Sequence, residues 1–209
     1  MKKVVSFDLD GTLVDGLYGD MVWNHGLPEV FAGRYGVSVE EAKALTRKEY
    51  ETVGDGRLEW YDIEYWLDRF DLPVSSAELL NRYESYIKLL PFAREVLEAL
   101  QEKYILVIAS NAARIFVEKE ISYADIGRHF TTIVSATSDY RIVKKGDPFY
   151  RKLLEHLGVS PHEIVHVGDH KIFDFEAPSH LGIESYHLCA DGNGNGRVIS
   201  DLRALLRKL

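Results

Sequence analysis

Five short apolar runs, most of them separated by an amphipathic stretch, limit what this chain can fold into more than any other feature. "VVSFD" (4–8), "YILVIAS" (104–110), "TTIVSA" (131–136), "EIVHVGD" (163–169) and "IESYHL" (183–188) are rich in valine and isoleucine. They read as strands buried on both faces. Between them, "AREVLEALQEK" (93–103), "IFVEKEISYADIG" (115–127) and "PFYRKLLEHLG" (148–158) space apolar residues by three and four, as helices with one buried stripe do. Gly158 suits the C-terminal cap of the third helix. Ser160-Pro161-His162-Glu163 then offers an N-cap, a proline at the first helical position and a reciprocal glutamate, so a brief helical turn precedes the next strand. Strands alternating with helices imply an α/β fold, a Rossmann-like parallel sheet with right-handed crossovers.

One stretch breaks this rhythm. Residues 16–90 contain no convincing strand, only helical segments around "MVWNHGLPEVFAGRYG", "SVEEAKALTRKEYETVG", "LEWYDIEYWLDRFD" and "SAELLNRYESYIKLL". Ser38/Glu41 and Ser75/Glu78 fit the capping box and mark two helix starts. The stretch is too long for a crossover helix, so it reads as an inserted α-helical cap domain (16–90), closed by Pro91, with residues 1–15 and 91–209 forming the core domain. Tyr18, Trp23, Trp60, Tyr61, Tyr65 and Trp66 are expected to build the cap's own core, with one or two left for substrate. The glycine tract "DGNGNGR" (191–197) lacks the lysine and serine of a P-loop and reads as a surface turn leading into a last helix, "ISDLRALLRKL".

In open parallel sheets ligands bind at the C-terminal strand ends, beside the switch point in strand order. Asp8, Asp10 and Thr12 follow the first strand; Ser110 and Asn111 follow the second. Lys144 and Lys145, in "VKKGDP", precede the helix after the third; Asp169 and then Asp174 follow the fourth. Four acids, two hydroxyls, an amide and a lysine would therefore meet at one edge. Two like charges about 4 Å apart repel by about 4 kcal/mol at an effective dielectric near 20, and one lysine does not offset several such pairs. Oxygen ligands without cysteine or histidine point to Mg²⁺.

At these residues the chain resembles the haloacid dehalogenase superfamily, mostly phosphatases and phosphotransferases. "DLDGT" (8–12), "SN" (110–111), "KGDP" (145–148) and "GDHKIFD" (168–174) match its four motifs in order, and the resemblance spans essentially the whole chain. It implies a Mg²⁺-dependent phosphatase acting on a small phosphorylated metabolite. Asp8 would be the nucleophile, forming an aspartyl-phosphate. Asp10 would be the general acid–base, and an acid at that position separates phosphatases from dehalogenases. Asp8, the Asp10 backbone carbonyl and Asp169 would hold the metal, with Asp174 binding it directly or through water. Thr12 would orient Asp10, Ser110 and Asn111 would clamp the phosphate, and Lys145 would balance the charge of Asp8 and phosphate. Lys144 is the alternative lysine. A phosphomutase or phosphotransferase, and a non-catalytic domain that binds a phospho-ligand, are the rival readings.

Several residues have plainer readings. Ser110-Asn111 also fits a helix N-cap, and Asp15 a solvated turn. His166 and His170 form H-x-x-x-H, but a strand and a Gly-Asp turn intervene where a zinc pair needs one helix face. Pro178 follows Asp174 where relatives run Gly-Ala, so that helix is expected to start later. The lone Cys189 reads as a small core residue. A formal charge of -8 argues against nucleic acid, and no apolar run is long enough to span a membrane. Acids at Asp8 and Asp10 interrupt any signal peptide, which together with a single cysteine suggests a cytoplasmic protein, monomer or homodimer.

Overall fold

The computed structural model describes residues 1–191 and 196–209; part of the glycine tract read as a surface turn, 192–195, lies outside them. The chain divides into two compact units, Met1–Asp15 with Leu89–Leu209, and Gly16–Lys88.

The first unit is the α/β core. β1 (Val4–Phe7) is wholly buried, and the chain returns to the sheet through β2 (Ile105–Ser110), β3 (Thr132–Ser135), β4 (Ile164–Gly168), β5 (Glu184–Leu188) and β6 (Val198–Ile199). Their order is β3-β2-β1-β4-β5-β6, with every neighbouring pair parallel. The chain builds outward from β1 through β2 to β3, then crosses back to lay β4 on the other side of β1. The switch point therefore falls between β1 and β4, where an open α/β sheet leaves a crevice at its carboxyl edge.

All five expected strands form, each shorter by one residue at one or both ends. β6 was not expected. It is two residues long, too short to show a period, and it arises because the main chain pairs with β5 at His187 and Leu188. The "ISDLRALLRKL" segment therefore starts with a strand residue, Ile199, and only Leu202–Arg207 coils, as a 3₁₀ helix capped by Asp201. Cys189 is half-exposed rather than in the core, because it lies one residue past β5, where the chain leaves the sheet.

The helical unit holds α1 (Leu17–Met21), a π-helical turn (Val22–Gly26), α2 (Leu27–Tyr35), α3 (Val39–Val53), α4 (Ile63–Arg69) and α5 (Ser76–Arg82). Ser38 and Ser75 cap α3 and α5, accepting from the backbone N–H of Glu41 and Glu78 at 3.2 Å each, and Asp62 caps α4. Its interior is aromatic: Trp66 is fully buried, Tyr50 meets it edge-on at 4.6 Å and Phe70 lies 5.4 Å away. Of the six aromatics singled out, Tyr18 and Trp66 are buried; Trp23, Trp60, Tyr61 and Tyr65 are half-buried. Leu89 and Leu90, placed with the cap from sequence, pair instead with the loop after β1, through a bridge to Val14 and a 2.8 Å bond from Leu90 N–H to the Leu13 carbonyl.

In the α/β unit α6 (Ala93–Gln101), α7 (Arg114–Tyr123), α8 (Ala136–Asp139), α9 (Asp147–Leu157) and α10 (Ala177–His180) complete the fold. Phe149, Tyr150 and Leu153 of α9 pack with Val107 and Ala109 of β2 and with Val4 and Ile164, a stripe that follows the spacing read from sequence. Gly158 ends α9 at a left-handed φ of 63°, and Ser160/Glu163 form the reciprocal capping box. Among the described residues no helix is long and apolar enough to cross a membrane.

The Trp66→Ala variant is expected to lose about 3–5 kcal/mol of stability, measured as an earlier midpoint in urea denaturation. An unchanged midpoint contradicts a core built around this ring.

Candidate active site

β1 delivers Asp8 to the switch point, where its backbone N–H donates to the Val167 carbonyl at 2.8 Å. The chain then folds tightly on itself, with the Leu9 carbonyl accepting from the N–H groups of Thr12, Leu13 and Val14 at 3.1, 2.8 and 3.1 Å. Gly11 makes the turn at φ +74°, and a Cβ there would lie 2.5 Å from Asp169 Oδ2. Only glycine satisfies both demands.

Lys145 reaches the same point from the segment before α9, with 1% of its surface exposed. Its ammonium contacts Asp8 Oδ1, donates to Asp174 Oδ1 at 2.6 Å and to the Ala109 carbonyl at 2.8 Å. All three N–H donors are thus committed. Burial works against the charged amine, but Asp174 and Asp8 outweigh it and hold Lys145 protonated, with a raised pKa. Lys144 takes a left-handed φ of 69° and is half-buried, so Lys145 is the lysine that enters the site.

Asp174 is equally buried. Burial opposes its ionisation, yet Lys145 and His166 hold its pKa below the usual carboxylate range. Its Oδ2 accepts from the His170 backbone N–H at 3.0 Å, and its Oδ1 lies 3.1 Å from His166 Nε2. Burial lowers the His166 pKa and keeps the ring neutral. Because ionised Asp174 only accepts, Nε2 carries the proton, and Nδ1 accepts from the Ser6 hydroxyl at 3.0 Å. His170 turns its Nδ1 to the backbone N–H groups of Ile172 and Phe173. The two histidines therefore serve a carboxylate and a helix start, and neither belongs to the acidic cluster. The helix after the fourth motif does not start late. It begins as a π-helical turn, Lys171–Glu176, that runs directly into α10, whose second residue is Pro178, and the Phe173 carbonyl accepts from the Tyr150 hydroxyl at 2.7 Å.

Asp169 stands at the open side of the group. Its Oδ1 accepts from the Thr12 hydroxyl at 3.3 Å, and its backbone carbonyl lies 2.8 Å from His187 Nε2. The Thr12 hydroxyl thus sits on Asp169, not Asp10. Burial, then Asp174, raises the Asp169 pKa. Burial also pushes Asp8 well above the usual range, more than Lys145 offsets. Carboxylate oxygens of Asp8, Asp169 and Asp174 all lie within 4.8 Å of one another. Three carboxylates beside one ammonium leave two negative charges uncompensated, and the donors are all hard oxygens. That set fits a divalent cation.

On the other side of β1, Ser110 is buried at the end of β2 and accepts from the Ala112 N–H at 3.0 Å, leaving its O–H to donate. Asn111 is half-buried, with Oδ1 enclosed and unpaired. Neither caps α7, because the chain makes one more turn and the helix starts from Ala113 without a side-chain cap. Asp15 is exposed. Asp10 is half-buried, and burial raises its pKa. Among the groups that shift it is Glu120, a buried residue of α7 that motif matching does not single out. A signal was present, since Glu120 interrupts an apolar stripe of Phe116, Val117 and Ile121 along α7.

Two expectations follow from this geometry. A Cβ on Gly168 would collide with the Asp174 carboxyl, so Gly168→Ala is expected to weaken divalent-metal binding on the order of tenfold or more, read by calorimetry. Burial and Asp10 push Glu120 up to about 10. The unfolded chain ionises this acid in the ordinary carboxylate range and the folded chain does not. Its stability contribution is thus complete at low pH and lost progressively as pH rises toward 10. Glu120→Gln, compared with wild type in EDTA, is expected to show a stability advantage that widens from pH 5 to pH 9; a constant difference contradicts this.

Comparison with known proteins agrees with the geometry. Residues 2–182 match the family described as haloacid dehalogenase-like hydrolase. The chain is 30% identical over 204 residues to a glyceraldehyde 3-phosphate phosphatase of Pyrococcus abyssi, covering 88% of this chain and 80% of the relative. It is 24% identical over 181 residues to the GMP/IMP nucleotidase YrfG of Escherichia coli (strain K12), covering 86% and 79%. A solved HAD phosphatase from Thermococcus onnurineus superposes with a TM-score of 0.81 at 25% identity, covering 100% of this chain and 97% of that one. The sheet order, the acid cluster at the switch point and the family match lead to one conclusion: the chain belongs to the haloacid dehalogenase-like hydrolases.

Proposed function

We propose that this hydrolase cleaves a small phosphate monoester through an Asp8-phosphate, with Mg²⁺ as its metal. The chain is a phosphoric monoester hydrolase of its family, and relatives are named as a GMP/IMP nucleotidase and a glyceraldehyde 3-phosphate phosphatase. The observation that carries the reading is the joining of Asp8 to Lys145 beside Asp169 and Asp174. Asp8, the Asp10 backbone carbonyl, Asp169 and Asp174 would hold the cation, which when bound supplies positive charge to offset the approach of an anionic phosphate to Asp8.

The residues divide the work. Asp8 attacks phosphorus while the P–O bond to the leaving group breaks, and the leaving oxygen takes the proton of the Asp10 carboxyl. A raised Asp10 pKa favours the protonated form that this step needs. Asp10, now ionised, takes a proton from water as that water attacks phosphorus. Inorganic phosphate leaves, and both acids return to their starting states. Ser110, through its free O–H, and Asn111 serve as phosphate clamps. Lys145 has no N–H to spare, so it acts on phosphate by charge and by fixing Asp8. Thr12 acts through Asp169. The formal charge of -8 does not invite polyanions.

A panel of phosphorylated metabolites with Mg²⁺ is expected to release phosphate, and Asp8→Asn to lower the rate on the order of a thousandfold or more. Full activity in Asp8→Asn, or isomerised sugar phosphate without free phosphate, sinks the reading. Because burial raises the Asp8 pKa, Mg²⁺ binding is expected to be linked to proton release and to tighten as pH rises. Calorimetry in buffers of different ionisation enthalpy measures that proton.

A further inference from the structure

We propose that Tyr150 is a positioning residue for Asp174, its hydroxyl holding the π-helical turn Lys171–Glu176 in the register that sets Asp174 against Lys145. The inference rests on the metal site proposed above. It starts from Pro178. In an α-helix the Phe173 carbonyl would accept from the N–H of residue 177, and in a π-helix from that of residue 178. Ala177 gives its N–H to the Ile172 carbonyl, five residues back, and Pro178 has none to give. Both helical donors are thus lost to the Phe173 carbonyl. Tyr150 replaces them from a different element, its hydroxyl donating to that carbonyl at 2.7 Å.

The hydroxyl is the part of Tyr150 that packing does not explain. Its side chain is fully buried, in one core with Phe149, Leu153 and Ala177, and a phenylalanine would fill that space without needing a partner. Ala177, in the same core, pins the far end of the turn. A change of register before it would rotate Asp174 by one residue, about 100°, relative to α10. The 2.6 Å contact with Lys145 and the 3.0 Å bond from the His170 N–H would then be lost. The Tyr150 ring also lies edge-on to His166 at 5.2 Å, the residue beside Asp174 Oδ1. Because α9 begins two residues after Lys145, one segment carries both the lysine and the side chain that brings the acid to it.

The test measures Mg²⁺ binding by calorimetry. We expect the dissociation constant to rise on the order of tenfold in Tyr150→Phe. Pro178→Ala puts an N–H back where a π-helix uses it, so the double variant Tyr150→Phe/Pro178→Ala should bind within about threefold of wild type. Leu153→Ala, a core change on the same helix, should unfold at lower urea yet keep its Mg²⁺ affinity within about threefold. Unchanged affinity in Tyr150→Phe, no recovery in the double variant, or an equal loss in Leu153→Ala overturns the proposal. Crystal structures give a readout independent of the metal: Asp174 should part from Lys145 in Tyr150→Phe and return to it in the double variant. An unaltered turn in Tyr150→Phe overturns the proposal as well. If wild type binds no Mg²⁺, the metal reading fails, and the structural comparison alone decides the role of Tyr150. Should Leu153→Ala not fold, Leu153→Val takes its place.

Discussion

The Lys145 ammonium divides its three N–H groups among the Asp8 carboxylate, the Asp174 carboxylate and the Ala109 carbonyl. Through one nitrogen it ties together the end of β1, the end of β2 and the turn after β4, all approached from the segment before α9. These are the chain segments that must meet for a site to exist at the switch point. An unpaired charge this deep costs several kcal/mol, and removing one partner from a buried pair typically costs about 3–5 kcal/mol. The arrangement is therefore all or nothing: the four segments are held in mutual register or the ion pairs are exposed to loss.

The same network is left deliberately short of positive charge. His166 stays neutral and Lys145 is one cation against three carboxylates. Asp8 and Asp169 both respond with raised pKa values, and burial is the main cause in each. A fold built only for stability would have replaced one of these acids. Keeping them makes sense in a hydrolase that must accept a cation and an anion in turn. Behind the acids lies a supporting shell, buried at its centre and open toward Asp169: Ser6 holds His166, His166 and the His170 N–H hold Asp174, and Thr12 and His187 hold Asp169.

Much of this was legible in the residues. The five strands, the capping of α3 and α5 by Ser38 and Ser75, and the end of α9 at Gly158 follow from local preference, and local preference is what a sequence displays directly. The set of acids and the lysine at strand ends was legible too, because strand-end position is a property of sequence order. What escaped depended on partners far along the chain. β6 exists only because β5 offers an edge, and Cys189 loses burial only because the sheet ends beside it. Ser110 fails as a helix cap because the chain takes one more turn before α7. The Thr12 hydroxyl finds Asp169, 157 residues away.

The sequence by itself determined an α/β chain with a helical insertion, and it placed Asp8, Asp10, Ser110, Asn111, Lys145, Asp169 and Asp174 at the ends of strands or just beyond them. It did so because hydrophobic period and turn chemistry act over a few residues. Only the tertiary structure decided which acid each group serves, that Lys145 and not Lys144 is buried, and that Glu120 is buried on α7. Those outcomes turn on burial and on hydrogen bonds between distant segments. Neither exists until the strands have taken their order and the crossover to β4 has brought the two halves of the sheet together.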